Sequence, residues 1–154
     1  MDNKAIIEHF YQSFAKGDAE SMVSHYADNI TFEDPAFGRL QGKDAKDMWR
    51  MLINNNRDGI KITYGNVQAN DTTGSANWQA EYTFSQTGRF VVNKIHASFV
   101  FKNGQIIQHT DYFDMWRWSR QALGLSGWLL GWSGFMKNKI QQRTNSLLAK
   151  YQKK

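Results

Sequence analysis

The hydrophobic positions along this chain change their period at about residue 60. Upstream, apolar side chains recur at the spacing of amphipathic helices, whereas from Ile60 onward they alternate as in strands. The pattern predicts a first helix that ends near Gly17, a second that Asp18 caps and a third that runs to about Asn55. One strand with alternating apolar side chains separates the second helix from the third.

Four strands are predicted after residue 60, the last of them from Ile107 to Met115. Short turn-forming stretches join neighbouring strands, which implies antiparallel pairing. These stretches lie at residues 71–74, 86–88 and 103–104. Gly38 and Gly42 mark a loop before the third helix. This order predicts an α+β domain whose helices cover one side of a curved, mostly antiparallel sheet, with a conical cavity between them.

The first predicted strand ends in a carboxylate on its apolar face. Within residues 29–34, a period of two places Asp34 on the side of Ile30 and Phe32. The next residue, Pro35, is the only proline of the chain and marks the end of the strand. A carboxyl group in apolar surroundings resists ionisation, which is one way to obtain a general acid or base near neutral pH. The alternative is that Asp34 caps a turn in water.

A histidine and an aspartate lie two residues apart in the last predicted strand. By parity, one face of this strand carries Ile107, His109, Asp111 and Phe113. His109 and Asp111 can pair through the imidazole, so that the acid fixes the tautomer while the ring moves protons near neutral pH. The alternative is a hydrogen-bonded polar pair on a partly wet face of the sheet.

Length and composition narrow the class of protein. The 154 residues are the size of one domain, and the lack of cysteine excludes disulfides and thiolate metal sites. His9, His25 and His96 have no companions at metal-ligand spacing, so no metal site is predicted. The sequence shows neither a signal-peptide pattern nor an apolar stretch of transmembrane length. A soluble, cytoplasmic protein is expected.

The positive charge is concentrated in the C-terminal part of the chain. The net charge is +5, yet all 14 acidic residues precede residue 117, and residues 117–154 carry eight of the 19 basic ones. Tryptophans accompany this charge at Trp116, Trp118, Trp128 and Trp132. We expect this segment to form a structural lid or an oligomer contact. A membrane surface is the alternative partner, whereas nucleic acid is not expected because the basic residues are spread singly.

Several landmarks, in this order of elements, resemble the nuclear transport factor 2-like superfamily. They are Gly17-Asp18, Tyr26-Ala27-Asp28, Phe32-Glu33-Asp34-Pro35 and Gly42-Lys43. The chain is most similar to the SnoaL-like polyketide cyclase and ketosteroid isomerase-like branch. The resemblance covers residues 1–116 and implies a cone-shaped fold and a homodimer formed through the outer face of the sheet. Residues 117–154 are expected to be a basic, Trp-rich helical extension packed on the same domain.

The resemblance implies that Asp34 is a proton-shuttling base. Ketosteroid isomerases also hold the substrate oxyanion with a tyrosine and a protonated aspartic acid, and these positions fall here on Phe10 and Ala97. Both donors are therefore missing. Since each preorganised donor contributes on the order of a few kcal/mol of transition-state stabilisation, steroid isomerisation of that type is not expected.

The function expected from the resemblance is cofactor-free proton transfer on a small apolar molecule that bears a carbonyl group or several rings, by an isomerase, cyclase or hydrolase-type enzyme. Asp34 would be the base, and His109 with Asp111 the proton donor or carbonyl polariser. The predicted pocket walls are Tyr11, Tyr26, Trp49, Trp78, Tyr82, Phe99 and Phe113. The alternative is a non-catalytic ligand-binding or dimeric scaffold protein, with its tail on a membrane surface as a further alternative.

Overall fold

The structure is a computed structural model that describes residues 1–56, 59–124 and 134–153. Its elements are α1 (Asn3–Ala15), α2 (Ala19–Val23), β1 (Tyr26–Asp34), β2 (Gly38–Gln41), α3 (Lys43–Asn55), β3 (Ile60–Ala69), β4 (Thr73–Phe84), β5 (Arg89–Lys102), β6 (Gln105–Tyr112), α4 (Met115–Leu123) and α5 (Gly134–Gln152). Helices pack against a curved, unclosed sheet. The predicted α+β fold class is confirmed.

In the described part of the chain, six strands form one sheet in the order β2-β1-β6-β5-β4-β3. β1 and β6 run parallel, and the other neighbouring strands are antiparallel. The four strands predicted after residue 60 are β3 to β6, joined by the predicted turns. The parallel pair brings the first strand of the chain beside the last.

The stretch between Gly38 and Gly42 is predicted as a loop, but it contains a short strand at the edge of the sheet instead. Residues 38–41 form β2 and turn back on β1, so that Leu40 lies opposite Phe32. Leu40 is buried and fills the edge of the core. The strand has one apolar residue between two glycines, which is too short for an alternating pattern to show.

The last strand also differs from its prediction in two respects. β6 ends at Tyr112 rather than Met115, and Asp114 caps α4 by accepting from the backbone N of Arg117 at 3.1 Å. A register shift opposite Val100 and Phe101 interrupts the parity of β6. Ile106 is therefore fully buried, whereas Ile107, predicted on the inner face, is not.

The ends of the sheet differ in what they carry. Since β1 runs parallel to β6, and β5 is antiparallel to both β4 and β6, three strands point the same way. The C-terminal residues of β1, β4 and β6 and the N-terminal residues of β5 therefore lie toward the same end of the sheet. The last strand residues there include Asp34, Phe84 and Tyr112. We call this end the mouth. α4 begins at the mouth, directly after β6.

The terminal helix α5 packs on the side of the domain formed by α3 and the turn between β1 and β2. Leu148 is buried against the core, and Nε2 of Gln152 donates to Oδ1 of Asp44 at 2.8 Å and to Oδ2 of Asp47 at 3.0 Å. Of the helices in the described ranges, none combines the length and the apolar character needed to cross a membrane.

Candidate functional site

A chain of hydrogen bonds crosses the inner face of the sheet, and we call its five members the buried network. Nε1 of Trp49 donates to Oη of Tyr26 at 2.8 Å, and this oxygen lies 2.7 Å from Nδ1 of His109. Nε2 of His109 lies 2.8 Å from Oδ1 of Asp111, which also accepts from Nε1 of Trp78 at 3.3 Å. Two strands, β1 and β6, thus share one network with α3 and β4.

One assignment of protons satisfies every member of the buried network. Ionised Asp111 can only accept, so Nε2 of His109 carries the proton that faces it. Nδ1 then accepts from Oη of Tyr26, which itself accepts from Trp49. Burial raises the pKa of Tyr26 well above its usual value, so the phenol keeps the proton that it donates. The network thus holds the imidazole of His109 between a phenol and a carboxyl group.

Aromatic rings enclose His109. Its side chain is 0% exposed, the ring of Phe99 lies 4.4 Å away between centroids, and the ring of Trp49 is stacked on it at 6.0 Å. Phe10 and Phe32 present their edges at 5.6 and 5.1 Å. A ligand does not reach the imidazole in this conformation. His109 therefore acts on its surroundings through Asp111.

The pairing of His109 with Asp111, which strand parity predicts, is present. The sequence left open whether this pair lies on a partly wet face. The structure buries both side chains on the inner face, and Asp111 is only 2% exposed. The Asp111 carboxyl group thus accepts from ring N–H donors on two sides.

Asp34 lies at the mouth, on the same strand face as Phe32. Its Oδ1 accepts from the backbone N of Phe37 at 2.6 Å and so closes the turn that leads to β2. Burial, and to a smaller extent the negative charge of Asp111, raise the pKa of Asp34 to about 7, against the opposing effect of the N–H groups of the turn. The residue as a whole is half-buried. Both expectations for Asp34 are met in part, since it closes a turn and is also withdrawn from water.

The two carboxyl groups are neighbours across the parallel pair of strands. Glu33 of β1 is in register with Thr110 of β6, so Asp34 follows beside Asp111 on the inner face. Asp111 is anchored by two ring N–H donors, while the pKa of Asp34 is raised to about 7. A carboxyl group with such a pKa is suited to proton transfer near neutral pH.

The residues predicted as pocket walls fall into two groups. Four are fully buried packing residues, namely Tyr11, Tyr26, Trp49 and Phe99. The other three, Trp78, Tyr82 and Phe113, are less enclosed, and Oη of Tyr82 accepts from Nε1 of Trp118 at 2.7 Å. The inner end of the predicted cone is therefore filled by side chains, and the two half-buried walls, Trp78 and Tyr82, lie on β4, which leads to the mouth.

Tyr11 holds a hydroxyl group that has no hydrogen-bond partner among the described residues. Its ring is fully buried and stacks on Tyr64 at 5.6 Å. Burial, and then the charge of Asp111, raise the pKa of Tyr11 well above its usual value, so it remains a neutral donor. An unpaired buried hydroxyl costs about 1–3 kcal/mol, which a polar atom of a ligand in reach of it would offset.

The structure explains what stands at the two missing donor positions. Phe10 contacts the ring of His109 and is part of its apolar enclosure. Ala97 lies directly opposite Asp111 in the register of β5 and β6. The acid of this protein is thus carried by the neighbouring strand, at the same level of the sheet.

Sequence reasoning missed the polar residues of α5 that reach the Asp34 turn. They are Gln141, Thr144 and Asn145. The predictions for Trp128 and Trp132 lie outside the described residues, whereas Trp118 packs on Phe84 at 5.4 Å. Within the described ranges, no three acidic or histidine side chains are grouped so that they could hold a metal ion.

Comparison with known proteins agrees with this architecture. A candidate polyketide cyclase from Xanthomonas campestris pv. campestris is 21% identical, with a TM-score of 0.62 over 76% of this chain and 93% of its own. Another, from Pseudomonas putida KT2440, is 16% identical, with a TM-score of 0.64 over 79% of this chain and 98% of its own.

A third similar structure is SalBIII, an epoxide hydrolase/cyclase-like enzyme with a role in pyran ring formation in the polyether salinomycin. It is 20% identical, with a TM-score of 0.60 over 73% of this chain and 90% of its own. No curated protein matches the chain. The family model of the SnoaL-like domain matches residues 7–109. The chain therefore belongs to the SnoaL-like domain family, within the nuclear transport factor 2-like superfamily.

Proposed function

We propose that this protein is a cofactor-free acid–base enzyme, an isomerase, cyclase or hydrolase-type catalyst, that acts on a small apolar substrate with a carbonyl group or several rings. The observation that carries the proposal is Asp34, a partly exposed carboxyl at the mouth with a pKa of about 7. Such a group holds or releases a proton at neutral pH, which a general acid or base must do. The structural similarity to cyclases supports the same class of reaction.

The residues divide the chemistry between them in this proposal. Asp34 takes a proton from the substrate, or gives one to it, at the mouth. Asp111 accepts from both His109 and Trp78, and its charge adds to the larger effect of burial in raising the pKa of Asp34. His109 is then a positioning residue rather than a direct proton donor, since rings cover it on all sides.

Asp34→Asn tests the proposal. The amide keeps an oxygen that can accept from Phe37, so the turn persists, but it cannot exchange a proton at neutral pH. Ligands are first identified by thermal shift in a panel of apolar ketones, phenols, polyketide-like aromatics and epoxides, and turnover is then measured on those that bind. We expect turnover to fall by about 10²- to 10⁴-fold with little change in affinity.

The matched control is Glu33→Gln, which neutralises the adjacent carboxylate on the opposite face of β1. It should leave turnover near the wild-type value. Equal turnover of the Asp34→Asn variant and the wild type would overturn the proposal and favour the second candidate, a non-catalytic binding protein or dimeric scaffold. The enclosure of His109 is the observation in favour of that candidate.

Two further parts of the proposal are a homodimer and a cytoplasmic location. The outer face of the sheet carries a shallow groove of about 670 Å³, lined by Asn77, Lys94, His96 and Tyr112 among others. Tyr112 is 68% exposed there. A second copy seated on this face would cover it. Light scattering should give twice the 17.8 kDa of the monomer, and Tyr112→Glu should halve the measured mass; a monomeric wild type at high concentration would contradict the dimer.

The alternative role of the tail at a membrane surface has its own test. α5 has basic but no acidic residues in its sequence. Co-sedimentation with anionic vesicles at low salt measures this attraction directly. Binding there would favour the membrane alternative, whereas a protein that stays in the supernatant supports a lid or oligomer contact.

A further inference from the structure

One face of α5 binds three consecutive backbone carbonyl groups in the turn that follows Asp34. The side-chain donors are one amide nitrogen, one hydroxyl and a second amide nitrogen. The bonds join Gln141 to Pro35 at 3.0 Å, Thr144 to Ala36 at 2.7 Å and Asn145 to Phe37 at 2.8 Å. Every residue between β1 and β2 thus has its carbonyl group held by the terminal helix.

The donors are themselves fixed in orientation. The amide of Asn145 also donates its second N–H to the carbonyl oxygen of Gln141, one turn earlier in α5, and the Thr144 hydroxyl lies 3.0 Å from the same oxygen. The helix also approaches the turn closely at Gly38, whose φ is +75°. A Cβ there would lie 3.3 Å from Oε1 of Gln141. The turn and the helix are therefore complementary in shape as well as in hydrogen bonding.

α5 also reaches the opposite side of the mouth. Arg143 lies between the residues that bind the Asp34 turn, and it contacts Gln86 in the turn between β4 and β5. With the amide oxygen of Gln86 turned toward the guanidinium group, this oxygen accepts from Nε of Arg143 at 2.9 Å. α5 therefore bridges the β1–β2 turn and the β4–β5 turn, the two turns that flank the mouth.

We propose that α5 is a positioning element of the candidate site, and that Gln141, Thr144 and Asn145 hold the Asp34 turn in the geometry that keeps this carboxyl half-covered at the mouth. The family match ends at residue 109, so this element lies outside the matched domain. The inference rests on the proposed function only in treating Asp34 as a site residue. A ligand that approaches Asp34 then passes α5.

The test is the protonation of Asp34 itself, measured in the full chain by carbon-13 NMR of its carboxyl group and assigned with Asp34→Asn. The double variant Thr144→Val with Asn145→Leu removes two donors and nearly keeps the volume. A loosened turn admits water to the carboxyl and also weakens its bond from the N–H of Phe37. Since burial has the larger influence on this group, its pKa should fall by about one pH unit or more. The charges that act on Asp34 are those of Asp111 and Glu33, with Tyr26 nearby, and the variant changes none of them.

Two control variants distinguish a positioning role of α5 from an effect on the stability of the helix alone. Gln142→Ala with Ser146→Ala changes the exposed face of the same helix and should leave the Asp34 pKa unchanged. Thr144→Ser keeps the hydroxyl and should also keep the wild-type value. If the double variant does not fold, Gln141→Met, which keeps the length and removes the donor, takes its place.

An unchanged Asp34 pKa in a folded donor-free variant would overturn the inference. Because the titration needs no substrate, its outcome is independent of catalysis. A lowered pKa together with full turnover of Asp34→Asn would support the role of α5 and at the same time contradict the proposed function. The two failures are therefore distinguishable.

Discussion

Asp111 and Asp34 are neighbours on the inner face of one sheet, but the protein holds the two carboxyl groups in opposite ways. Asp111 accepts from the rings of His109 and Trp78 and is almost completely buried. Asp34 accepts from the backbone of its own turn and is partly exposed. The first carboxyl group is held by two ring N–H donors, whereas burial raises the pKa of the second to about 7.

The comparison shows how one sheet gives two carboxyl groups on adjacent strands different surroundings. Ring N–H donors fixed by packing stabilise a buried charge, and the charge so stabilised makes a second ionisation nearby unfavourable. Burial contributes most to the raised pKa of Asp34, and the charge of Asp111 adds to it. Substituting either carboxyl group or one of its neighbours should therefore change the stability of the protein. The expected effects follow from the largest to the smallest.

The largest effect is expected from His109→Ala. The substitution opens a cavity among aromatic rings and leaves Asp111 with only Trp78, and Tyr26 with only Trp49, as a hydrogen-bond partner. The free energy of unfolding should therefore fall by about 3–5 kcal/mol. Urea denaturation measures this change. His96→Ala, an exposed histidine on the outer face, is the control and should cost less than about 1 kcal/mol. Equal costs would show that the buried network does not stabilise the fold.

The next effect is a pH-dependent gain in stability from Asp34→Asn. Between the unfolded pKa near 3.8 and the folded pKa of about 7, the folded protein keeps a proton that the unfolded chain releases, so this group makes the wild type less stable as pH rises. The asparagine of the variant does not titrate in this range, so the variant does not lose stability in this way as pH rises. Its advantage should grow from almost nothing near pH 4 to about 2–4 kcal/mol above pH 8, since each pH unit contributes about 1.4 kcal/mol.

Urea denaturation of both proteins across this pH range measures the difference. An advantage that is independent of pH would mean that Asp34 does not titrate in the folded protein near neutrality. The same series in the presence of a bound ligand would then show whether ligand binding changes the protonation of Asp34.

A smaller loss is expected from Tyr26→Phe. The ring and its packing remain, but Nε1 of Trp49 loses its acceptor and Nδ1 of His109 its donor. Leaving buried polar atoms unpaired should cost about 1–3 kcal/mol, measured by thermal or urea unfolding. A variant as stable as the wild type would show that these two bonds contribute little to the network.

The smallest effect is expected from Glu33→Gln, one residue before Asp34 and on the other face of β1. Its only described ion pair is with Arg39 at 3.7 Å, and both side chains are at least half exposed. Stability should change by less than about 0.5 kcal/mol. A pH-dependent gain in stability like that of Asp34→Asn would indicate that net charge, rather than burial, determines how stability depends on pH.

Local patterns in the sequence were enough to predict the inward direction of Asp34, His109 and Asp111. Strand parity depends only on neighbouring residues, and the turns and caps follow from short signals such as Asp18. The same reasoning was wrong for Ile107, because a register shift reverses parity and depends on how β5 pairs with β6. No local pattern contains that information.

Contacts between distant parts of the chain could not be predicted from these signals. Tyr26 and His109 are separated by 83 positions and meet only because β1 lies beside β6. Thr144 is 108 positions from the carbonyl group of Ala36. The sequence predicts a helix near residues 137–151, but which face it presents to which turn is decided by tertiary packing.

The parallel pairing of β1 with β6 also has a consequence for the order of folding. The hairpins from β3 to β6 close short loops, whereas β1 must wait for the last strand before its inner edge is paired. The strand that contains Asp34 is therefore synthesised well before the strand that contains Asp111. We expect ribosome-bound chains that end before residue 105 to show no hydrogen-exchange protection in β1 beyond that from its pairing with β2; early protection of the edge that faces β6 would contradict this order.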